Sequence, residues 1–472
     1  MKILSYFVRE EEQCTKKELF KKFCLSGETG EQFLSMLLQY GVLVPLKQNA
    51  AQPVFKFSFV GIVFFKNLTL RCYPKYIRST DMARKAFAQV MNVLRRYGRE
   101  SEAEYYPGGE SASLEFSLIA EALALLDDYA EHGLYSNTVA DAEYNGTGEI
   151  LWDKTLISLD PFFCNAVPFY LDFHTKRTID DTNDYVTRLH KHVLTECSRF
   201  LEDADLLPIF GLSPLWLSVE PREHFGPDDH ILQRLRAELD NQFECHKQEL
   251  LRRLIRFIER RETLTAQPLH LYGTTSFEAV WEKVCAKAFQ NQLHTPLETL
   301  LPWELQPDYR KYTTLKSLIE KPEWHLDDSA SFSGRGTLIP DIATFYCSQD
   351  KADIIFLILD AKYYCYTSSA DKLPGIEDID KQYLYELAFM PFLAAHKIKQ
   401  VRNVFLLPTD GDEIVCKGDV EFKLFKGLGC QDIKLVLLPA VKVFSAFLDA
   451  ATRDNFVPGL LRALEKYHLR RH

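Results

Sequence analysis

The most constraining feature of this chain is the stretch Ile354-Ile355-Phe356-Leu357-Ile358-Leu359-Asp360-Ala361-Lys362. Six consecutive apolar residues form a run suited to a strand buried on both faces, which requires layers of helix on either side. The run stops abruptly at a charged triplet, and period-two alternation puts Asp360 and Lys362 on one face. Upstream, 337–346 reads as a partner strand with Pro340-Asp341 inside it. Ser348-Gln349-Asp350-Lys351 reads as the turn, and 353–364 as the second strand. Two carboxylates and a lysine are thereby carried to one edge of a buried sheet. A weaker copy of the pattern, Asp410 followed by Glu421-Phe422-Lys423, lacks the Pro-Asp and follows no apolar run. A strand end with solvated charges is the bland alternative.

Pro340-Asp341 followed by Asp360-x-Lys362 resembles the PD-(D/E)xK nuclease signature. Phosphodiester hydrolysis by such a site needs a divalent cation that neutralises the phosphate and acidifies a water. Mg²⁺ takes hard oxygen ligands and keeps several waters. The resemblance implies Mg²⁺, with Mn²⁺ as a substitute, held by Asp341, Asp360 and the Ala361 carbonyl. Lys362 would orient the attacking water or stabilise developing negative charge.

At 472 residues the chain should hold two to four domains. An apolar fraction of 46% supports full cores. With 56 basic and 66 acidic residues, net −10, a nucleic-acid binder must concentrate its positive charge locally or borrow it from a partner. Eleven cysteines, none in C-x-x-C spacing, fit a reduced cytoplasmic protein. No run is long enough to span a membrane.

Four regions are expected along the chain. Residues 1–97 read as a winged-helix-like module, or equally as a helical cap on a small sheet. Thr15 caps its first helix, a turn at 27–30 precedes a second helix, and strands 54–63 and 64–76 pair through Lys66-Asn67. Residues 98–227 form an α+β docking region. Its Asn145-Gly146-Thr147-Gly148 has neither common phosphate-loop form and reads as a tight turn, so the chain should bind no nucleotide itself. His174, His190 and His192 lack a carboxylate at ligand spacing. Residues 228–264 read as one long helix with Phe243 in its apolar stripe. Its last turns carry Arg252, Arg253, Arg256, Arg260 and Arg261, either a solvated face or a phosphate-backbone track. Residues 265–472 form the nuclease-like domain, an α/β fold with a mixed central sheet. Thr275-Ser276-Phe277-Glu278 reads as a capping box. That leaves Glu282, one turn on, as the better acid for metal. Gln382 and Tyr385, on the helix after the hairpin, are candidates to reach the DNA backbone.

The whole chain resembles the LlaJI family of restriction endonuclease subunits, itself similar to McrC. Phe59-Val60-Gly61-Ile62 with Tyr73-Pro74-Lys75-Tyr76, residues 145–155 and residues 277–282 carry that resemblance. The Pro340-Asp341, Asp360-Ala361-Lys362 and Gln382-x-x-Tyr385 set completes it. Related exonucleases space Gln and Tyr by four residues; here the spacing is three. The family implies a cytoplasmic endonuclease subunit acting on double-stranded DNA with an AAA+ McrB-like GTPase ring. An arginine would stimulate the ring, with Arg95, Arg96 and Arg99 as candidates by position. A stand-alone repair-type nuclease and a non-catalytic scaffold remain the competing readings.

Overall fold

In the computed structural model the apolar run forms the strand Ile354–Ala361, with Phe356, Leu357, Ile358 and Leu359 completely buried. The structure describes residues 4–46, 53–103, 118–165, 167–181, 183–266, 268–325, 331–334, 336–347, 354–366 and 373–471. The expected turn at 348–351 lies outside them. The chain divides into one unit of Met1–Glu115 with Leu271–His472 and a second of Phe116–His270.

In the first unit, Ile354–Ala361 is second in a five-stranded mixed sheet. Ile342–Cys347 pairs with it antiparallel, so Pro340-Asp341 sit just before that strand rather than inside it. Gln400–Thr409 lies parallel on its other side, placing Asp360 opposite Phe405. Ile433–Pro439 follows in parallel, and Val415–Val420 closes the far edge antiparallel, with a bulge between Cys416 and Gly418. Among the described residues that edge strand has one neighbour, and it carries Lys417, Gly418 and Asp419, so no apolar run announces it.

The helix Ile376–Ala395 supplies Phe389 and Phe392 to one apolar cluster and Tyr383 to a second, which also contains Phe405 and Leu407. The helix Phe277–Ala288 buries Trp281 fully, and its indole N–H donates to the Leu406 carbonyl at 3.2 Å. Burying so large an aromatic ring with its polar atom satisfied fixes this helix against the sheet.

The N-terminal residues belong to this unit, whereas the sequence reading set 1–97 apart. Thr15 and Glu18 form a capping box at the helix Lys16–Lys22. That helix and Gly27–Gln39 accompany a three-stranded antiparallel sheet of Gln13–Thr15, Val54–Phe57 and Leu43–Pro45. The expected turn at 27–30 is instead the first turn of the second helix. A Cβ on Gly30 would stand 2.9 Å from the Phe20 ring, so this glycine serves helix contact. Expected strand 54–63 is split between sheets. Val60–Phe65 joins Leu68–Tyr73, Leu4–Arg9 and Leu269–Thr274 in a four-stranded sheet. Gly61 and Gly273 meet there, and a Cβ on either would lie 2.2 Å from the opposing backbone oxygen. The helix Thr80–Ala103 packs on Ala440–Leu448, with the Gln89 amide donating to Val441 O at 2.9 Å.

The second unit is helical, with two hairpins. Leu118–His132, Tyr185–Asp203 and Cys245–Ala266 pack together, and Asp228–Asn241 packs on the last of them. The expected single helix at 228–264 is therefore two. Gln242 is extended, and its side-chain oxygen accepts the N–H groups of Phe243 and Glu244 at 3.0 and 3.2 Å. A side chain competing for backbone donors ends the helix. Phe243, assigned to the apolar stripe, is 90% exposed at this break. Thr138–Tyr144 pairs antiparallel with His174–Asp180, and Phe162–Cys164 with Val167–Phe169.

Candidate active site

The end of the strand Ile354–Ala361 brings the sequence-predicted acids together. Asp341, entering the neighbouring strand, accepts the Ala361 N–H at 2.9 Å through Oδ2. The Asn291 amide donates to the Asp341 carbonyl at 2.9 Å, pinning that segment. Asp360 is 5% exposed. The two carboxyl groups hydrogen-bond to each other, which two bare anions cannot do without a shared proton.

Burial, the bond to Asp341 and the charge of Asp341 push Asp360 up to about 8, against the opposing pull of Lys362. Burial likewise raises Asp341, and Glu282 adds to it. Lys362 Nζ sits 2.9 Å from Asp360 and 3.1 Å from Asp378. Burial would lower this lysine, but the two carboxylates outweigh it and hold its ammonium above the ordinary range. Asp378 was not anticipated. It lies in the first turn of Ile376–Ala395, and only the fold brings that turn beside the strand end.

Glu282 faces the cluster from the helix Phe277–Ala288. Burial raises its carboxyl, and it responds to Lys362, Asp360 and Glu278 in turn. It stands back from the pair: among the described residues, these three carboxylates do not close within 4.8 Å of one another. The expected capping box at Glu278 is absent. Ser276 is the N-cap and makes no side-chain cap bond, and its own N–H goes to Thr274 Oγ1 at 3.0 Å. Glu278 is exposed and holds no such structural post.

Gln382 and Tyr385 are placed differently from the expected DNA contacts. Gln382 is fully buried, its amide donating to the Ile358 carbonyl at 3.2 Å, so it braces the central strand. Tyr385 is 8% exposed in the apolar cluster. Burial and the charges of Asp360 and Asp341 push its hydroxyl up to about 12, which places it near the acids rather than outward.

The arginine track is also altered. Arg252 lies 3.8 Å and Arg253 3.4 Å from Glu249, while Arg256 reaches both Glu249 and the buried Glu121 at 3.4 Å. Three of the five arginines thus hold acids of their own unit. The side chains of Arg260 and Arg261 lie outside the described residues. Arg96, a candidate by position, pairs with Glu100 at 3.1 Å and donates to the Leu448 carbonyl at 2.7 Å.

Just past Lys362 in the chain, a cleft of about 410 Å³ is lined by Arg9, Lys75 and Arg78, by Glu10 and Glu11, and by Tyr364 and Tyr366. Lys75 lies over the Tyr363 ring at 4.6 Å and its N–H donates to Glu10 at 3.1 Å. Tyr73-Pro74-Lys75-Tyr76 thus buttress the chain just past Lys362. The weaker acidic copy does not assemble. Asp410 accepts the Arg78 N–H at 3.0 Å, whereas Glu421 pairs with Lys426 at 2.8 Å.

The donor set suits a hard divalent cation: two buried carboxylates held against each other, a third nearby, and hard oxygens only. The chain is similar to three known proteins or families. The family model described as LlaJI restriction endonuclease matches residues 59–444. A curated relative, the Type II restriction enzyme BsuMI component YdjA of Bacillus subtilis (strain 168), is 28% identical over 410 residues, covering 84% of this chain and 81% of that protein. Among solved structures, McrC bound to McrB AAA+ hexamers of Thermococcus gammatolerans aligns with 94% of this chain and 99% of that one, at 14% identity and a TM-score of 0.37.

Proposed function

This chain belongs to the LlaJI restriction endonuclease family, and on that premise we propose that it is the nuclease subunit of a restriction system, cutting double-stranded DNA through a Mg²⁺-dependent PD-(D/E)xK site. The convergence of Asp341, Asp360, Glu282 and Lys362 at the end of the central strand is the observation that carries this reading. Asp341, Asp360 and the Ala361 carbonyl would hold the cation, and Glu282 would act through one of the waters that Mg²⁺ retains. When bound, the cation supplies phosphate neutralisation and an acidified water.

The chain's own groups do the rest. Lys362, held between Asp360 and Asp378, keeps its ammonium charged and fixed beside the site, where it orients the attacking water and stabilises developing negative charge. Tyr385 and Gln382 hold the helix and strand that position the acids. Arg9, Lys75 and Arg78 line a cleft, shared with Glu10 and Glu11, that would take the phosphate backbone by exchanging the contacts of Lys75 to Glu11 and of Arg78 to Asp410 for phosphate.

The resemblance to McrC implies an AAA+ GTPase partner. The second unit supports a docking role by displaying Trp152, Ile157, Phe163, Val167 and Leu171 at 51–87% exposure, within 20 residues of chain. The test is cleavage of supercoiled plasmid by the full chain with Mg²⁺, with and without the partner and GTP. Asp360→Asn and Lys362→Ala should each abolish cutting while the protein stays folded. Wild-type cutting by Asp360→Asn would overturn the assignment.

A further inference from the structure

A second cluster of metal-ligating side chains lies in the other unit. Asp128 and His132 are one helical turn apart at the end of Leu118–His132, and His246 stands at the start of Cys245–Ala266. These two helices pack against each other. One ligand atom from each of the three residues lies within 4.8 Å of the other two. We propose that Asp128, His132 and His246 bind Zn²⁺, which clamps the two helices together at this point.

Three observations support a ligand here. His132 Nδ1 lies 3.5 Å from Asp128 Oδ1. That is long for a hydrogen bond but matches the edge of a tetrahedral site, where ligands about 2.1 Å from the metal lie about 3.4 Å apart. The His132 and His246 rings stack, with centroids 4.3 Å apart and planes at 30°, so both imidazoles are presented beside the carboxylate. Finally, Asp128 Oδ2 is buried without a hydrogen-bond partner. A carboxylate oxygen in that condition costs stability unless a cation compensates it.

The neighbouring charges leave room for that cation. The Arg253 guanidinium, near enough to influence Asp128, is engaged by Glu249 at 3.4 Å. His190 is fully buried, and its Nδ1 accepts the Tyr135 N–H at 3.1 Å. Two imidazoles with one carboxylate select a borderline metal such as Zn²⁺ rather than Mg²⁺, which separates this site chemically from the oxygen-only cluster around Asp360. The His132 side chain, 44% exposed, gives the metal a route in and leaves a position for water.

The test uses the full-length chain stripped with chelator, with and without Asp360→Asn so that binding at the acidic cluster is separated. Zn²⁺ is titrated against a chromophoric chelator in excess Mg²⁺, and Co²⁺ is used as a spectroscopic probe. One equivalent should bind in both backgrounds, with the visible bands of a low-coordinate Co²⁺ site and a rise in melting temperature. His132→Gln, at an exposed position, and His246→Gln should each weaken binding at least about tenfold and remove the thermal shift, with the circular dichroism spectrum kept. Binding unaltered in both variants, or no Zn²⁺ taken up at micromolar concentration, overturns the proposal.

Discussion

Asp360→Asn should disable the enzyme and yet stabilise the metal-free protein, with a pH dependence that identifies the cause. Asp360 is raised from 3.8 to about 8 in the fold. A carboxyl raised on folding binds its proton more tightly in the native state, so stability falls as pH rises from about 4 to about 8 and is flat above. A shift of about four units at about 1.4 kcal/mol each sets a ceiling of about 6 kcal/mol. The amide carries no charge, fits the same space and can donate to Asp341. It forfeits the charged contact to Lys362, worth about 1.5–3 kcal/mol, though Asp378 still holds that ammonium. A net gain of about 2–4 kcal/mol near pH 8 is expected, vanishing near pH 4. Thermal melts in EDTA of wild type and Asp360→Asn across pH 4–9 would show a difference that opens over that window by several degrees. A variant less stable than wild type at pH 8, or an offset independent of pH, would refute the buried shared-proton pair.

Other expectations follow from the same contacts. Arg256→Ala removes an ionic contact of the buried Glu121 and should cost about 1–3 kcal/mol by denaturant unfolding, leaving the salt dependence of DNA binding unchanged. Arg9→Ala with Arg78→Ala should instead leave stability within about 0.5 kcal/mol and reduce the slope of log affinity against log salt by about 1–2. Trp281→Ala should destabilise by about 3–5 kcal/mol and lower activity through Glu282, which shares its helix. Ile157→Asp with Phe163→Asp should abolish stimulation of cutting by the proposed AAA+ partner while Mg²⁺ binding, read by calorimetry, is unaltered.

Residues close in sequence and strong in pattern were legible without coordinates. Six apolar residues ending in Asp-Ala-Lys could only be a buried strand with its charges at the rim, because an unpaired backbone or a charge inside that run would carry a desolvation cost. The same alternation put Asp360 and Lys362 together; helical spacing put Glu278 and Glu282 on one face, but the preference for Glu282 rested on a capping box that the structure does not form. The tertiary structure alone decided which contacts distant residues make. Asp378 meets Lys362 because a helix returns to the strand end; Gln382 and Tyr385, polar and apt for DNA in isolation, are buried because that helix supplies both apolar clusters. Arg252 and Arg253 pair locally with Glu249, whereas Arg256 also meets the buried Glu121, more than 130 residues upstream and out of reach of sequence pattern. Asp128 and His132 carry no recognisable motif until His246 is brought beside them. Local periodicity is written into the order of residues, whereas pairing across a fold depends on which surfaces must leave water together, and a single sequence does not encode that as a readable pattern.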